Sequence, residues 1–274
     1  MHIWYAKRID IKKTSFITYS IKMLEILILS LVQGITEFIP VSSSSHLIVI
    51  SKLIEFNEQS LSLDVSLHIG SFIAVLTYFY KEIFNFIDNR ELLTKIIISS
   101  FPVMVIGFLL VQTNLIYEIR NLKVIGWTTI IFGILLFISD RFNLNKNIEK
   151  NFSLKTALII GFFQVFSLIP GVSRSGFTIT AARLLNFNRI DSAKISFLLS
   201  VPTLAAVSIF GIKNIVSSDS IIFSVQNITS IFLSFLFSFI TIKYFLRYIK
   251  NFNLNLFVYY RVLLGSFLVG LAYL

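Results

Sequence analysis

Residues 33–50 read QGITEFIPVSSSSHLIVI, and residues 167–185 read SLIPGVSRSGFTITAARLL. Each stretch closes an apolar half, breaks at a proline and a serine-rich kink, and opens a second apolar half. The enclosing segments are 24–56 and 154–188. Their halves, about 12–16 residues each, are too short to cross a hydrocarbon core of ~30 Å, which takes ~20 helical residues. Irregular backbone is tolerated at that depth only where protein buries it or water reaches it. Each segment is therefore expected to be a re-entrant helix hairpin that enters and leaves on one side.

The rest of the chain sets these hairpins in a membrane. Of 274 residues, 55% are hydrophobic and only 14% charged, where a soluble globule carries about 25% charged residues. The mean hydropathy is +0.82. With no cysteine in the chain, disulfide scaffolds, thiolate chemistry and Cys-ligated zinc are excluded. Six unbroken apolar runs, roughly 63–81, 94–113, 122–140, 192–213, 224–246 and 255–274, are expected to be transmembrane helices. Alternating ten-residue segments, the mark of a β-barrel, are missing. The net charge of +10 comes from Lys and Arg in the short polar loops, which fits a cytoplasm-facing bias rather than a nucleic-acid partner.

Ile39-Pro40 and Ile169-Pro170 stand 130 residues apart, and the same offset carries Ser43 onto Ser173 and Ser45 onto Ser175. Each unit is a hairpin followed by three spans, so the second enters from the opposite face. The expected fold is all-α and polytopic: six transmembrane helices plus two re-entrant helix hairpins in an inverted-topology repeat, with the two kinks meeting near the midplane. Residues 1–22 read as a basic, poorly structured extension. Residues 23–274 read as one membrane domain, with repeat 1 at about 23–140 and repeat 2 at about 154–274. With 1–22 set aside, thirteen Lys and Arg fall on one side against four on the other. That places the richer side in the cytoplasm and both termini outside.

The kinks carry the candidate chemistry. Glu37 follows Gln33 by four positions, so both project from one helix face. A carboxylate at this depth faces a cavity or a partner, as a metal ligand or a general base. Ser42, Ser43, Ser44 and Ser45 suit the start of a second half-helix, whose amides form an anion site. His46 then sets a titratable imidazole beside candidate nucleophiles. Arg174 lies between Ser173 and Ser175, and a guanidinium within a membrane segment needs an anionic partner. Either Glu37 or a phosphate oxyanion fills that need. Together the groups suit phosphoryl transfer. Asp64 and His68 sit at i, i+4 and read as a polar helix end or an Asp–His pair. Pro102 and Pro202 lie inside spans and carry no chemistry.

QGITEFIPVSSSSHLIV and PGVSRSGFTI, with DVSLHIG and SFLLSVP, resemble the signature segments of the bacterial undecaprenyl-diphosphate phosphatase family, also known for bacitracin resistance. The resemblance covers essentially 23–274. It implies a polytopic inner-membrane enzyme that removes the terminal phosphate of undecaprenyl diphosphate and returns the monophosphate carrier to peptidoglycan synthesis. It also implies a divalent cation, Mg²⁺ or Ca²⁺, with Glu37 as the candidate metal ligand.

By the same resemblance Glu37, Ser43, His46 and Arg174 are the catalytic candidates, with Ser43 as nucleophile or a metal-activated water in its place. Gln33, Ser42, Ser44, Ser173, Ser175 and Thr178 are the substrate-binding candidates. Gln33 stands where some members carry a second glutamate. It cannot act as an anionic ligand or base, which weighs against a two-carboxylate metal site. Ser45 stands where Gly or Ala is common. The expected partners are a polyprenyl diphosphate lipid and the bilayer, with a homodimer as candidate assembly and no nucleic acid. The alternative function is a polyprenyl-phosphate transporter or flippase using the same midplane anion site.

Overall fold

A computed structural model describes residues 20–54, 61–85, 90–113, 115–142, 145–217 and 225–274. The basic extension lies outside these residues except for 20–22, which begin the first helix. Among the described residues the regular structure is helical, joined by turns. Their only strand-like pairing is an isolated bridge between Lys146 and Phe187.

In chain order the helices are α1 (20–36), α2 (Ser43–Ile54), α3 (Leu61–Tyr78), α4 (Tyr80–Phe84), α5 (Arg90–Gln112), α6 (Leu115–Glu118) and α7 (Leu122–Asp140). There follow α8 (Ile148–Asn151), α9 (Leu154–Val165) with a 3₁₀ turn at Phe166–Leu168, α10 (Arg174–Leu184), α11 (Arg189–Ser217), α12 (Val225–Asn251) and α13 (Asn255–Tyr273). Five of them, α5, α7, α11, α12 and α13, are long and apolar enough to cross a membrane. The run expected at 63–81 is helical too, but it stops at Tyr78, and its apolar stretch, 62–78, is shorter. Pro102 and Pro202 sit inside α5 and α11.

The outer surface is apolar. Leu263 is 72% exposed, Ile209 69% and Phe232 61%, an arrangement that water would punish and acyl chains cover. Because lipid is as apolar as leucine, the helices associate through small residues and hydroxyls. On α3, Gly70 lies against the α12 main chain at Ile231 and Phe235. Beside it Ser71 reaches Ser234 at 3.2 Å and Ser238 at 3.0 Å, and Ser234 donates to the Leu67 carbonyl at 2.6 Å. Gly126 of α7 and Gly265 of α13 bring those two helices together in the same way. Gly161 of α9 lies against the α5 main chain at Ser99, whose hydroxyl donates to the Ala157 carbonyl at 2.7 Å. Between these pairs an aromatic core forms, with Phe38 edge-on to Phe197 at 5.4 Å and Phe79 and Phe245 beside it.

One end of the bundle is fastened by a buried acid. Asp140, the last residue of α7, accepts from Arg189 Nε at 2.7 Å and from the Leu254 amide at 2.9 Å. Arg183 Nε lies 3.3 Å from the same carboxylate. A single side chain thereby ties the end of α7 to α10, α11 and the α12–α13 turn.

Candidate active site

The two broken segments meet at their kinks. In the first, α1 gives way to a turn over 37–41, and α2 starts at Ser43 after Ser42 adopts φ 79°. In the second, Gly171 (φ 95°) and Ser173 (φ 71°) turn the chain into α10 at Arg174. The Ser173 hydroxyl caps that helix, accepting from the Gly176 amide at 3.1 Å. Measured from proline to helix start, the second kink is one residue longer than the first. Structurally, then, Ser42 is the counterpart of Ser173 and Ser43 that of Arg174, a shift of one from the 130-residue offset.

Glu37 is the meeting point, and it is only 7% exposed. Its Oε1 accepts from Arg174 Nη2 at 2.8 Å, across the two segments. Its Oε2 accepts from the Ser43 hydroxyl at 2.8 Å and from Gln33 Nε2 at 3.1 Å. The four-residue spacing on α1 brings Gln33 and Glu37 side by side, as one helix face requires. Arg174 Nη1 donates to the Ser196 carbonyl on α11 at 3.1 Å, which fixes the plane of the guanidinium. Thr178 donates to Ser196 Oγ at 2.7 Å, and Ser175 donates to the Ile39 carbonyl at 2.8 Å, stitching one kink to the other. Ser42 shares hydrogen bonds with Ser45 at 2.9 Å and with Ser44 at 3.3 Å.

Of the candidates, Gln33, Glu37, Ser43 and Arg174 are thus in direct contact. Ser173, Ser175 and Thr178 support the kinks through capping, main-chain and Ser196 contacts. His46 is differently placed. Its Nδ1 lies 2.6 Å from the Ser42 carbonyl and its Nε2 2.5 Å from the Tyr260 hydroxyl. Both nitrogens are therefore engaged away from Ser43 and Glu37. His68 on α3 lies within electrostatic reach of Glu37. Its Nδ1 bonds the Asp64 main-chain oxygen at 2.8 Å.

Two residues of α13 were not singled out from the sequence. Tyr260 carries no signal beyond being one more aromatic in a span. Arg261 does carry one, since an arginine inside an apolar run is a functional candidate by default. It is fully buried. Its Nη1 donates to the Pro40 carbonyl at 3.2 Å and to the Val172 carbonyl at 3.0 Å, and its Nη2 to the Gly171 carbonyl at 2.8 Å. Its Nε donates to the Thr129 carbonyl on α7 at 3.2 Å. Both kinks and two helices converge on one guanidinium.

Glu37 and its neighbours do not make an all-protein cation cage. Among the described residues no three His, Cys, Asp or Glu side chains cluster, and Glu37 already holds three donors. Gln33 Oε1 is, however, a buried acceptor without a hydrogen-bond partner. One carboxylate and one amide oxygen suit a divalent cation that completes its shell with substrate phosphates. A separate cleft of about 440 Å³, lined by Arg183, Asn188, Arg189 and Lys250 among others, opens at the far end of α10. It lies roughly 15 Å from Arg174 along the helix axis and includes none of the candidate residues.

A family model described as "Bacitracin resistance protein BacA" matches residues 26–267. The undecaprenyl-diphosphatase of Pelagibacter ubique (strain HTCC1062) is 48% identical over 252 residues, covering 92% of this chain and 98% of the relative. That of Jannaschia sp. (strain CCS1) is 34% identical over 259 residues, covering 90% and 97%. Undecaprenyl-diphosphatase 1 of Pseudoalteromonas translucida (strain TAC 125) is 37% identical over 262 residues, again covering 90% and 97%. With matches of this length along a multi-pass helical membrane protein, the chain belongs to the bacitracin resistance protein BacA family.

Proposed function

We propose that this chain is an undecaprenyl-diphosphate phosphatase, releasing the terminal phosphate and recycling the monophosphate carrier for peptidoglycan synthesis, with bacitracin resistance as a consequence. The observation that carries this reading is the Glu37 carboxylate held between the Ser43 hydroxyl and the Arg174 guanidinium, 2.8 Å from each. A hydroxyl donating to a buried carboxylate is poised to lose its proton as it attacks. A guanidinium beside it offers planar, two-point recognition of a phosphate.

In the reaction the terminal phosphate displaces Glu37 from Arg174 and takes over the guanidinium. The attacking oxygen, Ser43 Oγ or a water in its place, gives its proton to Glu37 and bonds to the terminal phosphorus. The bond from phosphorus to the bridging oxygen breaks, and undecaprenyl phosphate departs. Along the serine route, water then cleaves the phosphoserine and restores the hydroxyl. The amides at the starts of α2 and α10 offer donors to the phosphate oxygens, and His46 serves as acid or base. Gln33 Oε1 and substrate phosphates, with Glu37 where it does not serve as the base, would hold Mg²⁺ or Ca²⁺, which supplies charge neutralisation when bound.

The proposal includes the membrane arrangement. The segments around the kinks are two re-entrant hairpins, and α3 joins the five longer helices as a sixth span. The halves 23–140 and 154–274 form an inverted repeat. The protein resides in the inner membrane with both termini outside, and its candidate assembly is a homodimer. The short helices α2, α9 and α10 beside the kinks support the hairpins, and the lysine and arginine bias supports the orientation.

The test is inorganic phosphate release from undecaprenyl diphosphate by the purified protein in detergent. One phosphate per lipid is expected, and none from Glu37→Gln. Lipid transport without phosphate release would overturn the enzyme reading in favour of a carrier.

A further inference from the structure

His46 is held at both ends of its ring. A carbonyl only accepts, so Nδ1, 2.6 Å from the Ser42 carbonyl oxygen, carries a hydrogen. In the neutral ring Nε2 is then the lone-pair nitrogen, and it accepts from the Tyr260 hydroxyl at 2.5 Å. The two rings lie nearly parallel, 9° apart with centroids at 5.6 Å. Tyr260 adjoins Arg261, whose guanidinium fastens both kinks, so the phenol is fixed relative to the start of α2. Tyr260 is also 43% exposed.

We propose that Tyr260 is the positioning residue of His46 and its proton link to the phosphoryl site. The inference rests on His46 being the acid–base group of the proposed phosphatase. Neither imidazole nitrogen bonds Ser43 or Glu37, so protons reach Nε2 through the phenol. The hydroxyl passes its proton to Nε2 as it takes one from a water or phosphate oxygen. The reverse exchange returns a proton to the product. In each direction the phenol ends with the one proton it began with, and the ring changes by one. Hydrogen-bonded chains of this kind work as a unit rather than as separate pairs.

The test uses Tyr260→Phe, which keeps the ring and its stacking and removes only the hydroxyl. On undecaprenyl diphosphate, kcat is expected to fall about tenfold or more, the scale of one hydrogen bond lost from a transition state, with KM within about twofold. In a His46→Asn background the same change is expected to cost nothing further. Wild-type turnover by Tyr260→Phe beside a His46→Asn slowed to a low but measurable rate would overturn the link and leave the phosphatase reading standing. Wild-type turnover by both would remove His46 itself. Losses that multiply in the double variant would make Tyr260 independent of His46 and end the proposal. The unmodified protein offers a second measurement: a relay moves more than one proton, so kcat in mixtures of light and heavy water should curve. A straight dependence overturns the relay even if Tyr260→Phe does not fold.

Discussion

Ser43 and Arg174 are the first residues of two matching short helices, α2 and α10, and they grip opposite oxygens of one carboxylate, that of Glu37. Each follows a serine in the left-handed region, a conformation that costs a non-glycine residue energy and persists only where the surroundings impose it. The two kinks thus present the same backbone device with different side chains. One supplies a hydroxyl and the other a permanent positive charge.

Arg174 cannot be replaced by its nearest relative. Lysine offers a point charge, whereas the guanidinium reaches Glu37 and the Ser196 carbonyl at once. Arg174→Lys is expected to lower phosphate release at least a hundredfold. Arg174→Ala should abolish release and also destabilise the protein, by roughly 3–5 kcal/mol for a buried charge left without its partner. Phosphate assays and thermal unfolding in detergent read the two effects separately.

Ser43→Ala separates the two routes to the product. Glu37 keeps Arg174 and Gln33 in this variant, so the stability loss should be only about 1 kcal/mol for one hydrogen bond. If the serine attacks, turnover is lost, and rapid quenching of the unmodified protein traps a phosphoserine. Substantial residual turnover with no trapped phosphoserine would assign the attack to water.

Arg261→Met should unfold the site from outside it. Removing the guanidinium leaves carbonyls at Pro40, Thr129, Gly171 and Val172 without this donor. At about 1–3 kcal/mol for each acceptor left wanting, a loss of several kcal/mol is expected, read as a lower unfolding temperature. Arg261→Lys should recover only part of it, because an ammonium cannot span four carbonyls on separate segments.

Gly171 and Gly270 make a matched pair of alanine tests. At Gly171 the backbone is left-handed (φ 95°), and an added Cβ would collide with the Thr128 hydroxyl and the Ile125 carbonyl. Gly171→Ala is expected to prevent folding or cost most of the stability. At Gly270 an added Cβ meets nothing within 4 Å. Gly270→Ala should be neutral or stabilising by up to about 1 kcal/mol through helix propensity. Expression level and unfolding temperature in detergent check both.

The sequence announces the helices because lipid demands long apolar runs, and α5, α7, α11, α12 and α13 follow them closely. It announces the kinks because proline and a serine cluster interrupt two such runs. It leaves the end of α3 less well marked, since apolar residues continue past Tyr78, where the helix breaks at Phe79 and resumes as the short α4. The register between kinks also slips by one. The prolines align at a fixed offset, but Gly171 lengthens the second turn, and only the backbone angles show which serine ends it. The side chains meeting at Glu37 all come from the two quoted stretches. What the sequence hides is the partners of two α13 residues: Arg261 binds main-chain carbonyls and Tyr260 binds a ring 214 positions away, and neither kind of partner leaves a compositional trace.

The Arg261 anchor bears on how this membrane protein moves. Alternating access requires one half of a molecule to rock against the other around a fixed site. Here a single buried cation grasps carbonyls from both broken segments and from α7, so any such rocking must tear several bonds at the same moment. A scaffold fastened in this way favours a stationary catalyst to which the lipid must come.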